Sequence, residues 1–300
     1  MSNKALLWEK LKNGFVRCYV CNHKCVIPQN TIARCFSRKN INGEMVLNTY
    51  GLISSIAADP IEKKPVYNYR RGTKVLSVGS FGCNFNCKHC QNWQISQVSA
   101  ESLANPQIKA LLNKSGQLSP EHLVSIIAKN NCQGLSWTYN EPAIWLEYTI
   151  DSAKLAKEQG FYTVYVTNGY MTVEALELIA PYLDVFRADV KSMDDKFYEE
   201  FCNAKNGHKV RETIERAKQL EMHVEIITNI IPTINDSVDN FEKTAEWIAT
   251  KLGKDTPWHV TRFFPQYKMA HLPPTPLEKI YEGVEIGKKA GLQYVYAGNV

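Results

Sequence analysis

The sequence predicts an α/β protein: an open, TIM-like partial (β/α)6 barrel behind a small cysteine-rich N-terminal segment. Three observations predict it. From residue 74 onward, short runs rich in Val, Ile and Tyr alternate with amphipathic helical runs about six times, which implies a parallel sheet. Six such units are fewer than the eight of a closed barrel; a flat doubly wound sheet is the competing architecture. Seven of nine cysteines fall within the first 90 residues, in two tight groups, the earlier of them before the strand–helix rhythm begins. The expected division is a cysteine-rich metal-binding segment at 1–72 and a barrel at 73–300.

The strand candidates are LSVGSF (76–81), LSWTY (135–139), YTVYVT (162–167), DVFRADV (184–190), VEIITNII (224–231), HVTRFF (259–264) and YVYA (294–297). Several are apolar on both faces, as buried parallel strands are. Ser119-Pro120 supplies an N-cap and a first-turn Pro, with Leu123, Ile126 and Ile127 as the inner stripe. A helix from about Ala143 is expected to stop at Gly160, and Thr275-Pro276-Leu277-Glu278 has capping-box spacing. Residues 91–116 form a connection long enough to be functional or a lid.

Charge and composition exclude some classes. There is no run of about 18 apolar residues to span a membrane, and the N-terminal stretch is charged and lacks a signal-peptide core. The expected location is the cytoplasm. Clustered cysteines in such a chain argue for metal ligation over disulfides. Residues 1–72 carry 12 Lys+Arg against 4 Asp+Glu, a net +8, so the remainder carries −3 of the total +5. Such a segment suits an acidic partner or simply a solvated basic cap. No basic run is interleaved with aromatics, so nothing favours a nucleic-acid partner.

The chemistry concentrates in Gly82-Cys83-Asn84-Phe85-Asn86-Cys87-Lys88-His89-Cys90-Gln91-Asn92-Trp93, directly after a strand and hence at the C-terminal mouth of a barrel. Three thiolates spaced C-x3-C-x2-C on one loop can hold three corners of a cubane, leaving one iron open to bind a substrate. The bland alternative is a zinc knuckle with His89 as fourth ligand.

That motif resembles the radical S-adenosylmethionine (SAM) superfamily. With Asp59-Pro60-Ile61-Glu62-Lys63-Lys64-Pro65 and GCNFNCKHCQNWQIS, the chain from about Cys18 to Val300 resembles the AmmeMemoRadiSam-system radical SAM enzymes, themselves similar to pyruvate formate-lyase activating enzymes. The resemblance implies a radical SAM barrel with a [4Fe–4S] cluster on Cys83, Cys87 and Cys90 and SAM as cofactor. It also implies reductive cleavage of SAM to a 5′-deoxyadenosyl radical that abstracts hydrogen from a protein or small-molecule substrate. A low-potential flavodoxin or ferredoxin is the implied donor.

Further segments match at successive strand ends. Tyr139-Asn140-Glu141-Pro142 is similar to a Gly-Gly-Glu-Pro motif that meets the SAM amino group, with both glycines replaced. Thr167-Asn168-Gly169 falls where related activases bind ribose and carboxylate. Asp189 and Lys191 form a charge pair at the mouth. Asn229, Ile231-Pro232 and Phe264-Pro265-Gln266-Tyr267 end the later strands, the last in the adenine region. The resemblance therefore assigns cofactor binding to Asn140, Glu141, Asn168, Asp189 and Lys191.

Cys18-x2-Cys21-x3-Cys25 and Cys35 offer four thiolates, suited to structural zinc or to an auxiliary iron–sulfur cluster. The polar surroundings suggest little core there, so a metal would be needed to fold the segment. Cys132 and Cys202 read as packing residues. Asp59 to Pro65 reads either as a solvated turn or as a clamp in which Lys63 and Lys64 hold an anionic substrate. The sequence ends at Val300 after YVYAGNV, where proteins of this subgroup often continue into a cysteine-containing tail; both a member without it and a shortened chain stay open. The different-class alternative is a non-catalytic electron-transfer or metal-binding protein.

Overall fold

The computed structural model describes residues 4–300. Its central sheet has eight strands: β1 (Ser55–Pro60), β2 (Lys74–Gly79), β3 (Gly134–Trp137), β4 (Tyr162–Thr167), β5 (Val185–Asp189), β6 (His223–Ile230), β7 (Trp258–Arg262) and β8 (Val295–Gly298). Strands β2 to β8 are parallel and lie side by side in chain order. A doubly wound sheet would reverse its order at a switch point; this one does not, so it is the open barrel. Helices follow each of β2 to β7, which gives the six expected units.

The strand candidates agree with the structure to within one or two residues. β1 is additional: it runs antiparallel to β2, from Ser55↔Gly79 to Pro60↔Lys74. Residues 55–72, expected in the cysteine-rich segment, thus belong to the sheet and to the turn below it. That turn fills the N-terminal end of the barrel. Ile61 and Val66 are buried against Val75, Tyr162 and Val185, which stand at the starts of β2, β4 and β5. The backbone N–H groups of Tyr67 and Asn68 donate to the buried Glu225 carboxylate at 2.8–3.1 Å.

Two local expectations need correction. Thr275 does not cap a helix. Its hydroxyl accepts from Phe263 N–H at 2.9 Å and donates to Ile230 O at 2.5 Å, tying the ends of β7 and β6, and the helix Leu277–Lys289 starts without a side-chain cap. The first segment also does have a core. Val16, Val20, Ile27 and Met45 are buried in the same cluster as Trp137 and Tyr148 of the barrel. Arg38 reaches Glu147 on the helix Leu146–Glu158 through bonds of 2.7 and 2.9 Å, both side chains buried. Arg38 Nη2 bonds both carboxylate oxygens and Nη1 bonds Leu6 O at 3.1 Å, so this buried ion pair ties the segment to the helix.

The expected caps at Ser119 and Gly160 are present: Ser119 Oγ accepts from His122 N–H, and Gly160 has φ +79°. The 91–116 connection contains the helix Pro106–Lys114, and Gly116–Gln117 pairs with Leu52–Ile53.

Candidate active site

The loop after β2 is built by its neighbours. Ser80 N–H donates to Asn140 Oδ1 at 3.0 Å, and Asn140 Nδ2 returns a bond to Gly82 O at 2.9 Å. Asn168 Nδ2 donates to Asn84 Oδ1 at 2.7 Å, while His23 Nε2 donates to Asn84 O at 2.8 Å. From behind, Asn86 and Lys88 N–H donate to Cys202 O and Phe201 O, each at 2.9 Å. Gly82 is required here: at φ +82°, a Cβ would lie 2.0 Å from Cys35 O. The first segment's backbone therefore lies directly against the loop.

Cys83, Cys87 and Cys90 all line one cavity of about 550 Å³, within the usual range for small-ligand sites. Burial pushes the Cys83 thiol well up, and burial also raises Cys90, whose Sγ lies 3.1 Å from Ser96 Oγ. Cys87 lies beside the buried Cys202 thiol and near the Lys191 ammonium, which pull it down despite burial. His89 is buried beside Phe197, with Nδ1 unpartnered among the described residues; burial, then Lys191, lowers it to about 3.

The cavity takes alternate residues from the strands, as a pleated wall must: Arg187 and Asp189 of β5, Ile227 and Asn229 of β6, His259 and Thr261 of β7. All five residues expected at the cofactor, Asn140, Glu141, Asn168, Asp189 and Lys191, line it too. Their bonding differs. Glu141 accepts from Thr167 Oγ1 (2.7 Å), Asn168 N–H (2.8 Å) and Ala143 N–H (3.0 Å), so its carboxylate is engaged by the protein. Burial raises it to about 7 against those bonds. Asp189 lies between Arg187 Nη1 and Lys191 Nζ, the latter at 2.9 Å. Burial works against the carboxylate, but Arg187 and Lys191 hold it at about 2.

Asp59 is buried and accepts from Lys63 at 2.9 Å and Lys64 at 2.8 Å; Lys64 is buried over the Tyr139 ring. Asp59, Ile61 and Lys64 of this turn are thus buried while Lys63 is exposed, and neither lysine is free, although Lys63 and Glu62 reach the cavity. Deeper in, Glu225 receives His223 Nε2 at 2.9 Å and His259 Nε2 at 2.6 Å. Burial would raise this carboxyl, yet the bonds from His223, His259 and Asn68 N–H bring it to about 2.

Cys18, Cys21, Cys25 and Cys35 are drawn together at the back of this loop. Cys21 is raised by burial and then by the other three thiols. Among the described residues, no three His, Cys, Asp or Glu side chains close on a single ion. Three thiols grouped on one loop can take the corners of a multi-iron core, and soft thiolate donors suit iron and sulfide.

Residues 77–248 match the family described as Radical SAM superfamily. The chain belongs to the radical SAM superfamily. An uncharacterised protein of Methanocaldococcus jannaschii is 37% identical over 297 residues, 99% of this chain and 85% of that one. The pyruvate formate-lyase-activating enzyme of Clostridium pasteurianum is 27% identical over 176 residues, 56% of this chain and 66% of it. A radical SAM methyltransferase from Sphaerobacter thermophilus shares the fold with a TM-score of 0.57 at 14% identity, over 76% of this chain and 67% of that one. SuiB of Streptococcus suis, bound to S-adenosylmethionine, does so at 0.55 and 11%, over 75% and 51%. Membership makes this radical SAM protein an enzyme with a [4Fe–4S] cluster and SAM as cofactors, and such enzymes need a reductant. Among the described residues no helix is long and apolar enough to cross a membrane.

Sequence reasoning missed Arg187, Glu225 and His259, and read Cys202 only as packing. A polar residue inside an otherwise apolar strand run, as in DVFRADV or VEIITNII, was the available signal.

Proposed function

We propose that Cys83, Cys87 and Cys90 hold the [4Fe–4S] cluster, and that SAM lies against the strand ends carrying Asn140, Glu141, Asn168, Asp189 and Lys191. The observation that carries this reading is the position of the three thiols: on one loop, at the C-terminal mouth, lining one cavity with the strand-end residues. When bound, the cluster and SAM supply a reductively formed 5′-deoxyadenosyl radical that takes hydrogen from the substrate. The chain's own contribution is positioning. Asn140 and Asn168 hold the cysteine loop through Gly82 and Asn84, and Glu141 holds Asn168. Lys191, held by Asp189, offers a cation to the cofactor's carboxylate.

The electron donor is a flavodoxin or ferredoxin. The substrate is either a polypeptide, as the similarity to a pyruvate formate-lyase-activating enzyme favours, or a small molecule. The cysteine-rich segment before the barrel binds a further metal, zinc or a second cluster, through Cys18, Cys21, Cys25 and Cys35. The test is anaerobic reconstitution with iron and sulfide, then SAM and dithionite, with mass-spectrometric detection of 5′-deoxyadenosine. The wild type should form it and show a cluster resonance that changes on adding SAM. Product from a Cys83/Cys87/Cys90→Ala triple variant would refute the assignment.

A further inference from the structure

We infer that Ser96, oriented by Gln97, hydrogen-bonds the Cys90 corner of the cluster and so raises the potential at which the cluster takes its electron; the inference rests on the radical SAM reading above. Ser96 ends the short helix Trp93–Ser96 and stands beside the three thiols in the cavity wall, only 4% exposed. Its backbone is fixed from both ends of the cysteine loop. Ser96 N–H donates to Asn92 O at 2.9 Å, and Gly82 N–H donates to the neighbouring Ile95 O, also at 2.9 Å. The hydroxyl oxygen lies 3.1 Å from Cys90 Sγ.

A hydroxyl has one proton to give, and two observations send it to sulfur. Gln97 Nε2 donates to Ser96 Oγ at 3.1 Å, which uses a lone pair of the oxygen and leaves its proton free. The same Nε2 faces Phe85 O, a group that only accepts, so the amide is set with its NH2 inward. Cys90, as a metal ligand, is a thiolate and has no proton to return. The other loop sulfurs are served differently: Cys83 Sγ accepts from the backbone N–H of Phe85 at 3.4 Å, with Asn168 Nδ2 farther off at 3.9 Å. Among the described residues, Ser96 supplies the one hydroxyl bonded to a thiol of this loop. Reduction adds one electron to the cluster and moves no proton; the hydroxyl proton stays on Ser96. The added negative charge spreads onto the thiolate sulfurs, so a proton held against Cys90 stabilises the reduced form more than the oxidised one. Burial strengthens the effect, because little water screens it. Ser96 thus eases the electron's arrival from a low-potential donor, acting through Cys90 as a positioning residue.

The experiment uses the reconstituted holoprotein, titrated anaerobically with dithionite against redox dyes, with the reduced cluster read by electron paramagnetic resonance. Ser96→Ala, at wild-type iron content, should take its electron about three- to tenfold less readily, the net worth of one hydrogen bond, which for one electron is a fall of about 28–59 mV in midpoint potential. Ser96→Thr, which keeps the hydroxyl, should hold the wild-type midpoint. Deuterated buffer should shift iron–sulfur stretching bands in the wild-type resonance Raman spectrum, and Ser96→Ala should lose part of that shift. An unmoved midpoint in Ser96→Ala overturns the proposal, and so does an equal fall in Ser96→Thr, which would trace the effect to packing. A wild-type spectrum indifferent to deuterium overturns it without any variant, which keeps the proposal testable if Ser96→Ala fails to hold iron. Wild-type cluster assembly and 5′-deoxyadenosine formation are read separately. Their absence refutes the cysteine assignment, whereas an unmoved midpoint beside normal product formation refutes the role of Ser96 alone.

Discussion

Gly82→Ala tests whether the first cysteine segment and the Cys83–Cys90 loop form one packed unit. Gly82 has φ +82°, where an L-residue costs about 1–2 kcal/mol. The new Cβ would also lie 2.0 Å from Cys35 O and 2.8 Å from Phe36 Cβ. Neither neighbour can yield cheaply, because one is backbone and the other is a Cβ fixed to backbone. Forcing them apart is an overpacking of about 1–3 kcal/mol. Together the terms give about 2–5 kcal/mol, a large part of a typical total stability of roughly 5–15 kcal/mol. Urea unfolding would read the loss, and iron content after reconstitution would read the displaced loop. The expected result is a lowered midpoint with a reduced iron load. A loss below about 0.5 kcal/mol with normal iron would refute the reasoning, because it would mean that the 35–36 turn does not touch the loop.

Three further predictions follow from the same geometry. Glu225 titrates near 2 in the folded protein against an ordinary 4.5, so its stabilisation is present above about 4.5 and lost as pH falls toward 2. The shift corresponds to about 3 kcal/mol. Wild type should lose stability steeply over that window, and Glu225→Gln should start less stable and show a shallower acid slope; identical slopes would remove Glu225 as the cause. Asn168→Ala removes the 2.7 Å bond to Asn84, which should loosen the cysteine loop by about 1–2 kcal/mol. It should appear as faster iron loss to a chelator, together with weaker SAM binding in anaerobic titration, and an unchanged rate would show that the loop is held elsewhere. Replacing Cys18, Cys21, Cys25 and Cys35 together with Ser should remove one metal equivalent by elemental analysis, and an intact protein with neither zinc nor extra iron would remove the second metal site.

The parallel strands were legible because β-branched and aromatic runs buried on both faces have few other uses. β1 was not: Ser55-Ile56-Ala57-Ala58-Asp59-Pro60 lacks β propensity, and its pairing with β2 is decided by the barrel edge it covers. The capping box failed for a related reason. Thr275 has the right spacing, but two strand ends leave Phe263 N–H and Ile230 O to be satisfied, and buried backbone groups claim the hydroxyl first. The same competition hid Lys64, for which the sequence left a solvated turn and an anion clamp both open and which the fold pairs with Asp59. At the site, the cysteine spacing was legible from one loop alone. Arg187 and His259 were not, since their meaning depends on which strands stand side by side.

The two cysteine groups are best understood as one mechanical unit. Cys35 O rests where a Gly82 side chain would be, His23 bonds Asn84 between two of the loop thiols, and Arg38 binds Glu147 on the helix that follows the Asn140-Glu141 strand end. Each contact joins the first segment to a different part of the mouth. A metal on Cys18, Cys21, Cys25 and Cys35 would stiffen the turn that carries Cys35 and His23, and so would fix the rear of the cysteine loop without entering the cavity. This gives the segment a reason to exist beside a barrel already closed by its plug. Radical chemistry depends on close placement of the reacting carbon, and without the first segment the loop would keep its bonds to Asn140, Asn168, Phe201 and Cys202 but lose its support at Cys35 and His23.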